Sequence, residues 1–375
     1  MSQPLVSIII PTYNRGHLIE RALRSVRAQT YSPWQIIVID DGSADGTKER
    51  LADIDDIEYY YQPNQGQAAA RTQGLQYCRG EYIASLDSDD EWHPDFLANG
   101  MAMLQKHQLD FVFASWRTSN DCTGYAHNLL LPEQRKRFCT QTDNGWWLLS
   151  PSQNRRIMIE NCPSPSSSLI IRRSSFPGSW NRQMRIADDW CMLLDMVINR
   201  PCRSAFMPIP HWTKHIHETN IWDCRDHTLI IPDVGFHDEQ VLLNRFKHQL
   251  TPVEKRIFRR RLAMHHFTFA YFSWKKSVAS SVVLRHLGIA FQLAPYRVSQ
   301  ELAVWSREHL QKRLSFKPLA LTNEADDGAD APQCDTRSGG NRTGDYQREV
   351  SVAPVPPYRR DSGRSESVEL PADST

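Results

Sequence analysis

Two apolar runs in this chain end in clusters of carboxylates. Ile36-Ile37-Val38-Ile39 leads into Asp40-Asp41-Gly42-Ser43, and Tyr82-Ile83-Ala84-Ser85-Leu86 leads into Asp87-Ser88-Asp89-Asp90. Short β-branched and aromatic runs bounded by turn residues read as buried strands, so each strand delivers acids to its C-terminal tip. In an open α/β sheet that edge is where ligands bind. Carboxylates converging there repel one another unless a cation or hydrogen-bond donors join them. A divalent metal holding a phosphate-bearing ligand meets that need.

The surrounding pattern fits such a sheet. Strand-like runs at 6–10, 36–39, 57–61, 82–86 and 110–114 alternate with helical spacing at 18–28, 45–51, 68–77 and 95–106. This β-α-β alternation predicts an α/β fold, a mostly parallel sheet flanked by helices with right-handed crossovers. Residues 1–115 are expected to be the nucleotide-binding half. Residues 116–235 mix Trp-rich stretches, a Pro/Ser loop at 163–168, a strand at 168–171 and a helix at 188–198, and are expected to form a second, acceptor-binding half. From 236 to 320 the periodicity is helical, a C-terminal appendage. Residues 321–375 are rich in Asp, Ser, Gly, Pro and Arg with no Trp, Phe, Ile or Met. That composition predicts a disordered tail, and the sequon at Asn341 carries little weight there.

Charge and cysteine content exclude other classes. Lys and Arg number 44 against 43 Asp and Glu, a formal net charge of +1, which argues against nucleic acid as a partner. A chain of 375 residues with a 40% hydrophobic fraction can build a sizeable core. The eight cysteines show no Cys-x-x-Cys pair, so spacing encodes neither a zinc site nor a disulfide framework. Reduced thiols and the lack of a basic leader after Met1 point to a cytoplasmic protein. No stretch reaches the roughly 18 consecutive apolar residues of a membrane span. Residues 282–298 come nearest but carry Arg285, His286, Gln292 and Arg297. With neighbouring Lys and Arg they read either as an amphipathic helix making peripheral contact with the inner face of a membrane, or as an ordinary solvated helix face.

Four ordered motifs carry a family resemblance: Val6-Ser7-Ile8-Ile9-Ile10-Pro11-Thr12-Tyr13-Asn14-Arg15, Val38-Ile39-Asp40-Asp41-Gly42-Ser43, Asn64-Gln65-Gly66-Gln67-Ala68-Ala69-Ala70-Arg71, and Gly80 through Asp90. Together they resemble the family-2 glycosyltransferases of GT-A fold, strongly over 5–115, weakly to about 220 and not beyond. The resemblance implies an inverting, metal-dependent enzyme. Its donor would be a nucleoside-diphosphate sugar, UDP-linked, and its acceptor a hydroxyl on a glycan, a lipid-linked glycan or a small molecule, in polysaccharide or glycan synthesis.

The chemistry can be argued beside the resemblance. A sugar nucleotide breaks its anomeric C–O bond when charge growing on the diphosphate is stabilised, and Mg²⁺ or Mn²⁺ does this as a Lewis acid. Asp87 and Asp89, one residue apart beyond a strand, point to one side of the tip, and such cations take one or two carboxylates with phosphate oxygens and water. The family's Asp-x-Asp motif falls on this pair, with Asp89 on the metal and Asp87 nearer the ribose or sharing the metal through water. Asp90 is expected to cap the helix after Pro94. A simple helix-capping turn is the alternative for the whole cluster.

Asp41 can accept a hydrogen bond from a base N–H such as that of uracil, and the family's base-reading Asp falls here. Tyr13 offers an aromatic face and Pro11 a rigid wall, unless this segment is merely a strand-ending turn. Arg71 is placed to approach the nucleotide or diphosphate, or else makes a surface ion pair. Ala187-Asp188-Asp189-Trp190 opens a helix, and in inverting members an acidic pair stands here whose second residue takes the acceptor proton. By that likeness Asp189 is the general base, with Asp188 where Glu is commoner; the alternative is a helix cap with dipole-favoured acids. Among His211, His215, His217 and His227 no standard zinc spacing appears, and alternation on a strand accounts for His215 and His217 equally. Family members often carry a His that reaches the metal or diphosphate, and His217 is the candidate.

Other nucleotide folds fail on motif. Pro11-Thr12-Tyr13-Asn14-Arg15-Gly16 stands where a dinucleotide-binding fold needs Gly-x-Gly-x-x-Gly, and no Gly-x-x-x-x-Gly-Lys-Ser/Thr occurs. The remaining rival is a catalytically inactive GT-A module that binds a sugar nucleotide or scaffolds an assembly.

Overall fold

The two acid-tipped runs become strands flanking a third. In the computed structural model, which describes residues 3–119, 126–127, 141–160, 165–218, 220 and 226–314, strands β1 (Val6–Thr12), β2 (Trp34–Asp40), β3 (Ile57–Tyr61) and β4 (Tyr82–Ser85) lie parallel in the order β3-β2-β1-β4. Their tips therefore share one edge. The sheet continues from β4 through β10 (Leu169–Arg172), β6 (Phe111–Thr118), β11 (Ser204–Lys214), β9 (Trp146–Leu149) and β8 (Gln141–Asp143). Strand β10 is antiparallel to both its neighbours, and β11 is parallel to β6 and antiparallel to β9. Short strands β5 (Glu91–Trp92) and β7 (Ala126–His127) attach to β11 and β6. This is the expected mixed, mostly parallel α/β sheet.

The near-continuous apolar runs follow from burial on both faces. Val6, Ile8 and Ile10 pack with Ile19, Ala22, Leu23 and Val26 of α1 (Gly16–Arg27), whereas Ile9 and Ile37 share the opposite face with Ala68 and Ala70 of α3 (Gln67–Gly74). Helix α3 lies so close to the sheet that a Cβ on Gly74 would meet Ile9 Cγ2 at 2.6 Å. A short α2 (Thr47–Leu51) and α4 (Phe96–Lys106) complete this half. Helices α5 (Pro151–Glu160) and α6 (Asp188–Asn199) follow. Trp190, Leu193, Leu194, Met196 and Val197 of α6 are buried in the same core as Phe111, Phe113 and Phe206, which fixes where its first turn sits.

Beyond β11 come α7 (His227–Ile231), a π-helical segment (Pro232–Asp238), α8 (Glu239–Phe246), α9 (Pro252–Lys275), α10 (Ser280–Leu293) and α11 (Pro295–Leu314). Helix α9 begins with a capping box, Thr251 with Glu254, and Pro252 in its first turn. Two contacts tie it to the core: Arg155 holds Glu254 at 2.7 Å, and Arg261 pairs with Glu239 while lying 4.3 Å over the Trp190 ring.

Several expectations are refined. The helical stretch from 236 is broken before Pro252, at 276–279 and at Ala294, since each following helix needs its own start. The strand invoked for His215 and His217 is β11, lying earlier than expected, because Pro208 and Pro210 obscure its course; its pairing with β6 shifts register between Met207 and Trp212. It ends at Lys214, so His215 and His217 lie past the strand and do not alternate along it. The hydrophobic stretch 282–298 is split between α10 and α11, and no helix among the described residues is long and apolar enough to cross a membrane. Cys78, Cys191 and Cys202 are buried free thiols. The expected disorder of 321–375, the sequon at Asn341, and Cys122, Cys139, Cys162, Cys224 and Cys334 lie outside the described residues.

Candidate active site

Just after β4 the chain makes a tight turn in which the Asp90 N–H donates to the Asp87 carbonyl at 3.0 Å. Carboxylate oxygens of Asp87, Asp89 and Asp90 all come within 4.8 Å of one another. Each is held differently. Asp90 is buried and accepts from Ser167 Oγ at 2.7 Å; burial, then the charges of Asp89 and Asp87, push its carboxyl well above the usual range. It does not cap the following helix, whose N-cap is Asp95, because Ser167 on the loop before β10 claims its side chain. Asp89 is 6% exposed. Burial acts to raise its carboxyl, but a 2.9 Å hydrogen bond with His217 Nε2 and the Arg15 guanidinium outweigh it and the net shift is downward. Its carbonyl also accepts from Arg21 Nη2 at 2.9 Å. Asp87 is the most open of the three and accepts from Arg71 Nη2 at 2.6 Å.

Arg71 makes no surface ion pair. The residue is 2% exposed, and its other arm donates to Asp188 Oδ2 at 2.6 Å. Gln67, one turn earlier on α3, donates to Asp188 Oδ1 at 2.6 Å. One buried guanidinium thus joins the tip of β4 to the first turn of α6. Asp188 is consumed by this bridge, which leaves Asp189 as the half-buried member of the pair. Asp189 accepts from the Ser166 N–H at 3.2 Å and the Trp190 N–H at 2.7 Å, and burial followed by the adjacent Asp188 charge raises its carboxyl to about 7. Two polar atoms beside it, Ser166 Oγ and Arg71 Nε, are buried without a hydrogen-bond partner.

Asp41 sits at the tip of β2 and is buried. It accepts from Gln62 Nε2 at 2.6 Å and from the N–H groups of Gln65 and Gly66 at 2.9 and 2.8 Å, so it shapes the loop that enters α3. Gly42 follows at φ +87, where a Cβ would meet Asn64 N at 2.8 Å. Asn14 ties the loops after β1 and β2 together: its N–H donates to Ser43 Oγ and its Oδ1 accepts from the Ala44 N–H, both at 2.8 Å. Tyr13 stands on this rim with 43% of its surface exposed, beside half-buried Pro11. The histidines separate, His217 going to Asp89, His215 to Glu91 at 3.0 Å and His211 to Asn99 at 3.0 Å.

Asp87, Asp89, Arg71, His217, Asp188 and Asp189 are therefore brought together, with Asp41, Pro11 and Tyr13 on the adjoining rim. Sequence reasoning missed Arg15, Ser167 and Gln67. Arg15 and Gln67 lie inside the motifs already singled out, whereas a Ser in a Pro/Ser loop gives no signal of the partner it will meet. The donor set suits a hard divalent cation: three carboxylates, all oxygen donors, within 4.8 Å of one another.

Known proteins resemble this chain in sequence and in fold. Residues 7–176 match glycosyl transferase family 2. The putative colanic acid biosynthesis glycosyl transferase WcaA of Escherichia coli K12 is 34% identical over 213 residues, covering 52% of this chain and 67% of that protein. The UDP-Glc:alpha-D-GlcNAc-diphosphoundecaprenol beta-1,3-glucosyltransferase WfgD of Escherichia coli is 36% identical over 124 residues, 32% of this chain and 49% of that one. The chain thus spans about half the length of several such relatives, at 49%, 47% and 51%. In fold it is similar to the Staphylococcus aureus TarS 1–349 structure with UDP-GlcNAc, at TM-score 0.55 and 18% identity over 78% of this chain and 82% of that one. With a relative of this identity matched over two thirds of its length, the chain belongs to glycosyl transferase family 2.

Proposed function

We propose that this protein is an inverting glycosyltransferase that moves a sugar from a nucleoside-diphosphate sugar, a UDP-linked one, to a hydroxyl of a glycan under assembly. Residues 1–115 would form the donor half and 116–235 the acceptor half, with 236–320 a helical appendage. The observation that carries this reading is the Arg71 bridge between Asp87 and Asp188, which sets Asp189 beside the acid-tipped strand. The names of WcaA and WfgD support a role in polysaccharide assembly, and that of WfgD makes a lipid-linked glycan the acceptor class to test first.

The division of labour follows from the surroundings of each side chain. Tyr13 offers its exposed ring to the base, with Pro11 stiffening the rim. Asp41 accepts three hydrogen bonds within the loop, which leaves one acceptor position for a base N–H. Asp89 and Asp87, with His217 alongside, would hold Mg²⁺ or Mn²⁺. A divalent cation there supplies Lewis-acid stabilisation of the charge that develops on the departing diphosphate. The acceptor oxygen forms its bond to the anomeric carbon as the bond to diphosphate breaks, its proton passes to the Asp189 carboxylate, and the configuration inverts. A carboxyl raised to about 7 is matched to that proton transfer at neutral pH.

Titration of the purified protein with UDP, GDP and dTDP, each with Mn²⁺ and with chelator, tests the donor reading. Metal-dependent binding of UDP alone is expected. Binding without turnover on any acceptor or on water would favour an inactive sugar-nucleotide module, and retained configuration in the first product, read by NMR, would overturn the single displacement.

A further inference from the structure

The C-terminal helices carry a charge distribution unlike the rest of the chain. Between Glu254 and Glu301 there are nine Lys and Arg and not one Asp or Glu, in a protein whose overall net charge is +1. The same segment holds large apolar side chains in water: Leu284 is 67% exposed, Tyr296 74%, Val278 40% and Phe291 37%. Leu284, Gly288 and Phe291 follow one another at i, i+4 and i+7 and so share the outer face of α10. The opposite face is occupied, since Ala290 is buried with Ala263 of α9 and Ala294 and Val298 beyond. Contact of His266 with His286 (Nδ1 to Nδ1, 2.9 Å) sets the register of α9 against α10. Because the two helices are antiparallel about that level, exposed Arg256, Arg259 and Arg260 of α9 lie toward the end of the hairpin that carries Phe291 and Tyr296.

We infer that this helical hairpin is a docking surface for an anionic lipid bilayer, with the outer face of α10 and the α10–α11 junction lying in the headgroup region. Charge complementarity selects the occupant. Three of the nine cations pair with acids from outside the stretch, Arg261 with Glu239, Lys276 with Asp226 and Arg297 with Glu301, whereas Arg256, Arg259 and Arg260 stand exposed in water. Such a cationic face is drawn to anionic headgroups, and apolar side chains beside it enter the acyl boundary, which a soluble polyanion would not reward. None of these residues belongs to the active-site reading above, so either can fail without the other.

Co-sedimentation of the full chain with vesicles of phosphatidylcholine alone and of phosphatidylcholine mixed with phosphatidylglycerol tests the inference. Binding to the anionic vesicles, weakened by salt, is expected, with little on the neutral ones. Replacing Arg256, Arg259 and Arg260 together by Gln should weaken vesicle binding about a hundredfold, at about fivefold per cation. Leu284→Ser with Phe291→Ser should weaken it about tenfold or more and leave UDP titration unchanged, which also reports that the variants are folded. Equal partition to both vesicle types, indifference to both sets of substitutions, or binding to duplex DNA in preference to anionic vesicles would each overturn it.

Discussion

The strand-tip edge and the C-terminal hairpin handle charge in opposite ways. At the strand tips, ionisable groups are largely buried and held by specific partners: Arg71 at 2% exposure spans Asp87 and Asp188, and Asp89 is held by Arg15 and His217. On the helical hairpin and its junction nine Lys and Arg lie between Glu254 and Glu301 with no acid among them in sequence, and Arg256, Arg259 and Arg260 are exposed, although Arg261, Lys276 and Arg297 find partners outside that stretch. Buried pairs depend on each partner, because removing one strands the other in a medium that solvates it poorly. Exposed like charges act additively and weakly, through the field they set up together. The first region is therefore suited to fixing the geometry of one small ligand, and the second to adhering to an extended surface.

The sharpest break in that comparison is expected at Asp189. Asp189→Asn should lower kcat by ~10²–10⁴-fold in a transfer assay while leaving UDP affinity intact, since only the proton acceptor is lost. Loss of UDP binding together with kcat would move Asp189 out of this role. Next comes the bridge: Arg71→Met leaves the buried Asp188 carboxylate unpaired and should cost about 3–5 kcal/mol of stability in urea unfolding. A change below about 1 kcal/mol would mean that water reaches this guanidinium more freely than its burial implies.

Two smaller effects sharpen the contrast. With its carboxyl raised to about 7, Asp189 is protonated in acid, so kcat should fall about tenfold per pH unit below that value and level off above it. A flat profile from pH 5 to 8 would reassign the base. In the helical region His266 is pushed down to about 4, by burial first and then by His286, with His265 and Arg285 adding in the same sense. The folded state thus prefers the neutral ring, and stability is full above the unfolded value near 6.5 and declines as pH falls from there toward 4. His266→Gln should flatten that part of the thermal-melt profile. Least of all, Arg259→Gln with Arg260→Gln should change unfolding free energy by no more than about 0.5 kcal/mol, as expected of exposed side chains outside any network.

The motif-bearing half was legible because its signals are local. A run such as Val6–Ile10 between turn residues has few structures open to it, and the acids at 40–41 and 87–90 follow their strands directly, so the edge on which they gather comes with the fold class. The opening of α6 at Asp188 was readable for the same reason, from acids ahead of a long apolar run. Composition also isolated the basic helical segment, since charge content survives any folding.

Contacts across the chain were another matter. That Asp90 would go to Ser167 rather than cap α4, that Asp188 would be spent on Arg71 and leave Asp189 open, and that Arg15 would meet Asp89 are matters of partners 74 to 117 residues apart, set when β4, β10 and α6 pack. The bounds of strand β11 were hidden by its own prolines until β6 and β9 supplied the pairing on either side. Sequence by itself determined which residues line the sheet edge, because strand period and turn chemistry act over a few residues. Only the tertiary structure decided which carboxylate is paired, which is pushed toward its neutral form and which is left to react, because that depends on which distant donor reaches each one and on how much water the packing excludes.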